Sequence, residues 1–577
     1  MIVRNEVHIV HEVLDLVAPY IAYWVIVDTG SDDGTQDAIR ARMDSLGVPG
    51  ELHERPWRNF GHNRSEALDL AAGHADYIWV IDADDRLDGT PDFSALSSDS
   101  YELRYRQNGV TFWMPYLIRD GLPWRFHGVV HEFLTCDRPT QGARLEGDYF
   151  IESRRLGGRN LDPQKYARDR DLLLAEVLRD PGDTRSMFYL ANTYRDLGDS
   201  ENARICYQRR SEMGGWDEEV YCSLYQMGEA MLRLGSPWPE TQDVLLRAWE
   251  FRPHRGEALT AIGRYYRTAD RFQLGHLFAQ RAAAIPFPAD ERLFAYDHVS
   301  SALDDQAICA SRLGLHPEAF AVCRQLLARE DLSDQNRVRI AGNREFSVPA
   351  MLDLAQVYPE GLVRSMRSAP QDADVEVSVS LTTGADLDIA ERSMNSLLNS
   401  CTDCPRIGRF VVDDSLLSAE DRAVFRSRYP FAEPLGLSAD SVGDRLHRIS
   451  DTITSRYWFH VEPGWRFFAP EDLITRLIAV LEAEPHVLQL AVNYEDAPAL
   501  TGRNAPESDV CRSPATGRYV LTDALAAGPA LIDTERLARI GGIGGPNAEI
   551  HADLTGRARA AGMGMASLDE VLCVKSQ

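Results

Sequence analysis

Two aspartates, Asp82 and Asp84, directly follow a short apolar run near the amino end of the sequence. The run 77–81 predicts a buried strand, because about four to eight apolar residues between polar breaks are too few for a helix. Carboxylates two residues apart on the turn that leaves such a strand can bind one divalent cation and a diphosphate, since Mg²⁺ and Mn²⁺ prefer oxygen ligands. An acidic turn on a solvated edge is the alternative.

A second strand-like run also ends in an aspartate. The apolar run 23–27 leads into Asp28, and Gly30 and Gly34 follow in a stretch that predicts a tight turn before a helix. Open α/β sheets bind their ligands at the carboxyl ends of their strands. Asp28 and Asp82 together therefore predict a nucleotide crevice, in which one carboxylate serves the base and the other the phosphates.

Two further groups of residues lie between and after these strands. Arg64 stands near the start of a predicted helix, where it could contact a phosphate or a carboxylate, or could be an ordinary surface arginine. The stretch 123–133 places aromatic residues around Gly128 and ends in His131 and Glu132. This pattern suggests a sugar platform beside an acid and base pair; a core aromatic cluster with a hydrogen-bonded histidine is the competing interpretation.

The composition limits the classes of protein that the chain can belong to. A chain of 577 residues predicts several domains, since single cores rarely exceed about 250 to 300 residues. Apolar residues make up 44% and charged residues 26%, as in folded globular proteins. The net charge of −27 disfavours nucleic-acid binding, which requires basic surfaces that displace counterions.

The cysteines and the hydropathy pattern indicate the cellular compartment in which the protein is expected. Nine cysteines without paired spacing favour a reducing compartment over a disulfide framework. Cys401 and Cys404 form a lone CxxC pair, for which ordinary thiols are favoured over zinc. The sequence has no run of about 20 apolar residues and no signal-peptide pattern. We therefore expect a cytoplasmic protein without membrane insertion.

Five segments resemble, in order, the motifs of glycosyltransferase family 2: they are 1–6, 25–35, 60–64, 81–85 and 128–132. The resemblance covers about the first 150 residues. It implies a GT-A (Rossmann-like) fold, a nucleotide-diphosphate sugar donor with a UDP-sugar as the first candidate, a divalent metal (Mn²⁺ or Mg²⁺), and inversion at the anomeric carbon. The implied activity is hexosyltransferase-like.

The resemblance also assigns roles by position. Asp28 would hydrogen-bond the nucleotide base, and Asp82 and Asp84 would be the Asp-x-Asp pair for ribose, metal and diphosphate. Glu132 would be the catalytic base, and His131 a metal ligand or an acceptor contact. The remaining motif residues would lie along the donor: Asn5, Glu6, Arg64 and Ala83.

The middle of the chain predicts helices. Pairs of segments with a large aromatic residue, a small residue and a turn glycine recur at 188–207, 221–235, 258–284 and 307–327, with a spacing that drifts upward from about 34 residues. They resemble degenerate tetratricopeptide repeats. Such repeats stack on one another, and their concave side commonly binds a peptide or a protein. A spacer between two catalytic lobes is the alternative.

The last third of the chain returns to α/β alternation after a predicted linker at 369–374. Strands predicted at 375–381, 410–414 and 457–462 resemble a second GT-A-like domain, because acidic residues again follow the strands. The turn after the third strand carries Glu462 alone, followed by Pro463, which predicts a domain that has lost metal-dependent catalysis. Even with help from His460, one carboxylate binds such an ion poorly. His551 and Asp553 leave an active second site as the alternative, because they could supply ligands or a base from another part of the fold.

We therefore predict an α/β multidomain protein: a GT-A domain at 1–160, a tetratricopeptide-like solenoid at 161–368 and a second GT-A-like domain at 369–577. The predicted function is that of a metal-dependent inverting glycosyltransferase acting on a hydroxyl, with a protein acceptor favoured by the repeats. The alternatives are transfer to a cell-envelope or polysaccharide glycan, and a repeat scaffold with vestigial transferase folds.

Overall fold

The computed structural model describes residues 1–107, 110–287, 293, 297–367, 375–436, 441–494, 505, 507–544 and 550–575. The linker predicted at 369–374 lies outside these residues. The chain divides into two compact units, one of residues 1–261 with 288–296 and the other of residues 262–287 with 297–577. The domain boundaries at 160 and 368 remain predictions.

The first unit begins with a parallel sheet in the order β1-β2-β3. Its strands are β1 (Ile2–Val3), β2 (Trp24–Asp28) and β3 (Gly50–Glu54). Val3 pairs with Asp28, so the carboxyl ends of β1 and β2 lie side by side. Because β2 is apolar up to its last residue, Ile26 and Val27 are buried and Asp28 is left at the edge where a ligand is expected.

A second sheet of the first unit has the order β4-β7-β6-β11-β5, and β10 pairs with β6. Strand β4 ends at Trp79, two residues before the predicted end, although the amide of Val80 still donates to the carbonyl of Tyr116. Strands β8 and β9 form a separate hairpin. These strands are β4 (Tyr77–Trp79), β5 (Asp85–Gly89), β6 (Ser100–Gln107), β7 (Val110–Arg119), β8 (Trp124–His127), β9 (Phe133–Cys136), β10 (Gly142–Arg144) and β11 (Tyr149–Ser153).

Helices alternate with the first strands of this unit, and after β11 the chain is helical. The side chain of Tyr207 donates to Asn192 at 2.6 Å inside one helical hairpin, where Phe188 and Ala203 are fully buried. This pairing of large and small residues confirms the predicted tetratricopeptide-like helical region. The helices are α1 (Val10–Val17), α2 (Thr35–Leu46), α3 (Phe60–Ala71), α4 (Gly158–Leu161), α5 (Lys165–Arg179), α6 (Thr184–Asp196), α7 (Ser200–Glu212), α8 (Asp217–Leu234), α9 (Trp238–Phe251) and α10 (Glu257–Thr268), the last of which runs across the division between the units.

The second unit starts with further helices that pack in sequence order. They are α11 (Phe272–Ala283), α12 (His298–Arg312), α13 (His316–Leu327), α14 (Asp334–Glu345), α15 (Val348–Ala355) and α16 (Glu360–Arg367). Phe320 of α13 lies in the same buried apolar cluster as Val379 and Phe468 of the following α/β region. Helices and sheet of this unit therefore share one core.

The sheet of the second unit has the order β14-β13-β12-β15-β20-β17-β21-β19-β18. Strands β12, β13, β14 and β15 are parallel, and β20 is antiparallel to β15. The predicted alternation of strands and helices after residue 375 is confirmed. The strands are β12 (Val377–Thr382), β13 (Ile407–Asp413), β14 (Glu433–Pro434), β15 (Tyr457–Val461), β16 (Trp465–Phe467), β17 (Val487–Ala491), β18 (Val510–Ser513), β19 (Gly517–Thr522), β20 (Ala530–Asp533), β21 (Gly564–Leu568) and β22 (Cys573–Lys575). The helices are α17 (Leu387–Ser400), α18 (Ala419–Arg428), α19 (Val442–Thr452), α20 (Leu473–Ala483), α21 (Thr534–Arg539) and α22 (Ile550–Ala560).

Across the ranges given above, every helix is too short or too polar to cross a lipid bilayer.

Candidate functional site

Asp28 ends β2 and is almost completely buried. Its Oδ1 atom accepts hydrogen bonds from the amides of Gly30 and Ser31, both at 2.9 Å, and from Nε2 of Gln36 at 3.1 Å. Its Oδ2 atom is buried and has no hydrogen-bond partner among the described residues. A buried carboxylate oxygen left without a donor is costly, so this atom is suited to accept a hydrogen bond from a ligand.

Asn5 and Glu6 follow β1 and form hydrogen bonds with the loop after β2. Asn5 has a φ of 57°, its amide donates to Ser31 Oγ at 2.9 Å, and its Oδ1 accepts from the amide of Asp32 at 2.9 Å. The amide of Glu6 donates to Thr35 Oγ1 at 2.9 Å. The two loops that leave β1 and β2 are therefore one hydrogen-bonded structure.

The carboxylate of Glu6 lies close to that of Asp84. Both accept from the backbone of the 157–158 turn: Glu6 Oε1 from Gly158 at 3.2 Å and Asp84 Oδ2 from Gly157 at 2.9 Å. A Cβ atom on Gly157 would lie 3.1 Å from Glu6 Oε1 and 3.3 Å from Asp84 Oδ2, so a side chain there would crowd both acids. Burial, with a smaller contribution from the charge of Asp84, raises the pKa of Glu6 to about 7.

Arg64 joins two of the predicted site residues. Its guanidinium places Nη2 2.6 Å from Asp82 Oδ1 and Nε 2.6 Å from Glu132 Oε1. The Arg64 side chain is 8% exposed and that of Glu132 is 10% exposed. Burial alone would lower the pKa of Arg64, but Asp82 and Glu132 raise it well above its ordinary value. Arg64 is therefore a buried cation held by both acids and not a surface residue.

The fold explains why Arg64 reaches both acids. Helix α3 begins after Asn59, whose side chain accepts from the amide of His62 at 2.8 Å. Close to this end, the amide of Gly61 donates to the carbonyl of Gly128 at 3.1 Å, and a Cβ on Gly61 would lie 2.6 Å from that oxygen. The missing side chain thus lets α3 approach the loop that carries Glu132.

Ala83 is buried in the core, and Asp82 and Asp84 on either side of it are only partly buried. Asp85 was not predicted as a site residue, although it belongs to the same run of acids. It is 2% exposed, and its Oδ2 accepts from the amide of Asp82 at 3.1 Å. Burial and then the charge of Asp82 raise the pKa of Asp85 well above its ordinary value. Asp85 therefore fixes the turn that presents Asp82 and Asp84.

His131 lies in the loop between β8 and β9 with a φ of 53°. Its ring stacks on Tyr189 of α6, with ring centroids 4.0 Å apart, and its carbonyl accepts from Arg185 Nη2 at 3.0 Å. Although the residue is exposed, partial loss of hydration around its ring and then nearby arginines lower the pKa of His131 to about 4. In the described part of the chain, no hydrogen bond or ion pair joins His131 to Asp82 or Asp84. The role predicted for it in metal binding stays a prediction.

A cavity of about 390 Å³ opens beside Asn5 and Glu6. Trp57 and Phe60 line it with their rings 4.6 Å apart, and the guanidinium carbon of Arg159 lies 4.2 Å from the centre of the Phe60 ring. The other charged lining residues are Arg4, Asp162, Lys165, Arg168 and Asp169. The volume and the basic and aromatic lining suit an anionic ligand of nucleotide size. Arg4 and Phe60 belong to the motif segments 1–6 and 60–64, whereas the other basic and aromatic residues of this cavity carry no recognisable motif and were missed by the sequence analysis.

The described residues include no group of three or more histidine, cysteine, aspartate and glutamate side chains that could hold a metal ion. Asp82 and Asp84 offer hard oxygen atoms of the right kind, but Asp82 Oδ1 is occupied by Arg64 and Asp84 Oδ2 by Gly157. Since Mg²⁺ and Mn²⁺ prefer about six oxygen ligands, a cation at this turn would need oxygen atoms from a diphosphate and from water.

The residues of the second α/β region that were considered for a second active site contact other side chains of that region. His460 lies between Ser380, with Nδ1 2.7 Å from Oγ, and Glu462, with Nε2 3.2 Å from Oε1. Asp553 accepts from Arg557 Nε at 3.0 Å. His551 and Asp553 stand on α22, and no hydrogen bond or ion pair joins either of them to Glu462 among the described residues.

A comparison with known protein families matches the amino-terminal part of the chain, which includes Asp28, Arg64, Asp82 and Asp84 but not His131 or Glu132. Residues 1–92 match the family model of glycosyl transferase family 2, so the chain begins with a domain of this family. No curated protein matches the chain.

Solved tetratricopeptide-repeat structures resemble parts of the chain only distantly. A crystal structure of MamA has 15% identity and a TM-score of 0.24, and covers 28% of this chain and 87% of its own. TTC0263, a thermophilic TPR protein of Thermus thermophilus, has 17% identity and a TM-score of 0.24, and covers 31% and 90%. A tetratricopeptide repeat protein of Parabacteroides merdae has 14% identity and a TM-score of 0.25, and covers 36% and 76%. The assignment of helical repeats here depends on the helical hairpins themselves.

Proposed function

We propose that this protein is an inverting glycosyltransferase that moves a sugar from a nucleotide-diphosphate donor to an acceptor hydroxyl. The match of residues 1–92 supports a glycosyltransferase. The observation that carries the finer proposal is the guanidinium of Arg64, which contacts both Asp82 and Glu132. One buried cation thus holds the acid assigned to the donor and the acid assigned to proton transfer.

Donor binding is proposed at the ends of β1 and β2. The unpaired Oδ2 of Asp28 would accept a hydrogen bond from an N–H group of the base, which uracil offers at its ring nitrogen. A UDP-sugar is therefore our first candidate. Asn5 and Glu6 would border the nucleotide, and the basic lining of the adjacent cavity, with Arg159 and Lys165, would favour the charge of a diphosphate.

Glu132 is proposed as the base. An acceptor hydroxyl is a poor nucleophile until a carboxylate removes its proton. Glu132 Oε1 is held by Arg64, whereas Oε2 has no hydrogen-bond partner among the described residues, so Oε2 is the atom we assign to the hydroxyl. A single displacement assisted by one base inverts the anomeric carbon, because retention through a covalent intermediate requires a second carboxylate as nucleophile.

A divalent cation, Mn²⁺ or Mg²⁺, would be held by Asp82 and Asp84 together with the diphosphate, and would stabilise the charge that gathers on the leaving group. The protein positions the two carboxylates through the turn 82–85. Ala83 is buried between them, and Asp85 fixes the turn by accepting from the amide of Asp82. His131 would contact the acceptor or complete the cation's ligands.

The helical hairpins that follow this domain favour a polypeptide acceptor, because stacked repeats commonly bind extended peptides. A cytoplasmic location is part of this proposal, since all nine cysteines are free thiols. Transfer to a cell-envelope or polysaccharide glycan is the second candidate, and a repeat scaffold without transferase activity is the third.

The experiment is to incubate the purified full chain with a panel of nucleotide sugars, Mn²⁺ and a mixture of serine- and threonine-containing peptides as acceptors, to measure released nucleoside diphosphate, and to determine by NMR the anomeric configuration of any glycoside formed. We expect release from one donor and a glycoside of inverted configuration. Retained configuration would contradict the role of Glu132 as the single base, and no release from any donor would favour the scaffold.

A further inference from the structure

The second unit contains a cavity of about 440 Å³ that has no part in the site described above. Helices α13 and α14 form one side, and the segments 471–476, 514–518 and 569–570 form the rest. Four arginines line it: Arg324, Arg344, Arg476 and Arg518. Four carboxylates line it as well: Glu471, Asp472, Asp569 and Glu570.

Three of these arginines are paired with carboxylates in the cavity wall. Arg324 Nε lies 2.6 Å from Glu570 Oε2, and Arg476 Nη2 lies 2.7 Å from the other oxygen of the same carboxylate. Arg518 Nη2 lies 2.8 Å from Asp569 Oδ2. The charges of these pairs are largely compensated. They form a rigid wall and do not by themselves indicate a ligand.

Arg344 is different. It is 3% exposed, and among the described residues its guanidinium has no hydrogen-bond partner and no ion-pair partner. Burial lowers the pKa of Arg344, yet an arginine stays protonated at neutral pH. Glu570 and Glu345 act on Arg344 through their charge and favour its protonated form. No carboxylate forms a direct ion pair with this guanidinium among the described residues, and a buried cation without a direct partner is unfavourable.

Arg344 belongs to the lining of the cavity, and the rest of the wall is closely packed or apolar. Gly517 has a φ of 62°, and a Cβ atom there would lie 2.7 Å from Arg476 Nη2, so only glycine lets the backbone pass against that guanidinium. Leu327, Ala328, Pro514 and Ala515 supply small or apolar lining. A cavity of several hundred cubic ångströms with a small number of fixed polar groups is the usual form of a small-molecule site.

We propose that this cavity binds a small phosphate-bearing molecule, with Arg344 as the residue that pairs with its phosphate oxygens. The planar fork of a guanidinium matches two oxygen atoms of a phosphate. The carboxylates in the cavity wall disfavour a ligand with several negative groups. The volume accommodates a sugar phosphate as well as free phosphate. None of the residues that line this cavity belongs to the proposed transferase site. A ligand bound here would therefore act as an effector and not as a substrate.

The test uses the full chain and its variant Arg344→Met, which keeps the length of the side chain and removes the charge. Arg339→Met is the matched control, because Arg339 lies on the same helix, is exposed and pairs with Asp304 at 2.9 Å. Inorganic phosphate, glucose 6-phosphate and citrate are titrated by calorimetry at constant ionic strength set with chloride. We expect phosphate or glucose 6-phosphate to bind the wild type and the control equally, and Arg344→Met to bind about tenfold more weakly or worse.

Tighter binding of glucose 6-phosphate than of phosphate would identify a phosphate ester as the ligand, and equal binding would identify the free ion. If Arg344→Met fails to fold, Arg344→Lys is used, and it should fold and lose affinity because the fork is gone. Equal affinity of the wild type and the Arg344 variant, binding of citrate alone, or no binding of any probe would overturn the proposal.

Discussion

Arg64 Nε lies 2.6 Å from Glu132 Oε1, and both side chains are at least nine-tenths buried. The same guanidinium lies 2.6 Å from Asp82. Breaking a buried ion pair by removing one partner leaves an uncompensated charge, which is more costly than the absence of the whole pair. This residue therefore couples the stability of the amino-terminal domain to the geometry of its site.

Replacing Arg64 by methionine should lower the free energy of unfolding by about 3 to 5 kcal/mol and abolish transfer. The reason is that Asp82 and Glu132 lose their shared counter-charge. Urea unfolding followed by circular dichroism measures the first effect. Arg125→Met is the control, because Arg125 pairs with Asp69 at 2.6 Å on the exposed surface and should cost less than about 1 kcal/mol. Equal destabilisation by the two variants would contradict the importance of the buried pair.

Asp84→Asn should remove metal-dependent donor binding and turnover together, since the proposed cation and diphosphate share that carboxylate. Donor affinity is measured by calorimetry with Mn²⁺ and again with a chelator. Asp88→Asn is the control on the exposed part of β5. If Asp84→Asn keeps activity that the chelator still abolishes, the cation is bound elsewhere.

The second α/β region should not catalyse transfer on its own, because Glu462 is engaged with His460 and stands as the one carboxylate at its turn. The double variant Asp82→Asn with Asp84→Asn should therefore release no nucleoside diphosphate from any donor that the wild type uses. Turnover that persists in the double variant and disappears on adding Glu462→Gln would show that this region is an active transferase.

The stability of the second unit should fall in acid through Glu570. Burial opposes ionisation, but Arg324 and Arg476 outweigh it and lower the pKa of Glu570 to about 2. The folded chain thus binds fewer protons here than the unfolded chain, so the stabilisation is present above about pH 4.5 and is lost as the pH falls towards 2.

Thermal unfolding between pH 6 and pH 3 checks this expectation. Glu570→Gln should lower the Tm at pH 6 and reduce the fall in Tm between pH 6 and pH 3. Glu360→Gln is the control: Glu360 pairs with Arg364 on the exposed surface, so this variant should leave both the Tm at pH 6 and the fall in Tm unchanged. A Glu570→Gln profile parallel to that of the wild type would contradict the assignment.

Much of this architecture follows from patterns that sequence alone displays. Apolar runs predicted β2 and, in the second α/β region, β12, β13 and β15. Turn glycines such as Gly30 and Gly34, with φ of 107° and 92°, marked the loop after β2. Element boundaries differ by a few residues, as for β4, which ends at Trp79 and not at Ile81. These features depend on local periodicity and turn chemistry, which neighbouring residues determine.

Contacts between distant segments could not be predicted. The position of Arg64 between Asp82 and Glu132 requires α3 to meet the loop after Gly128, and the approach of Gly157 to Glu6 and Asp84 brings together three parts of the chain. Arg344 is another case: its sequence surroundings resemble any amphipathic helix, and only packing shows that its charge is buried.

The central claim is that Glu132 is the base of a nucleotide-sugar transfer. It is tested by comparing Glu132→Gln with the wild type and with Glu146→Gln, which changes an exposed acid of the same domain. The account predicts that Glu132→Gln binds the donor as the wild type does and loses about 100-fold or more in kcat, while Glu146→Gln keeps both. A Glu132→Gln protein that transfers sugar at the wild-type rate would contradict it.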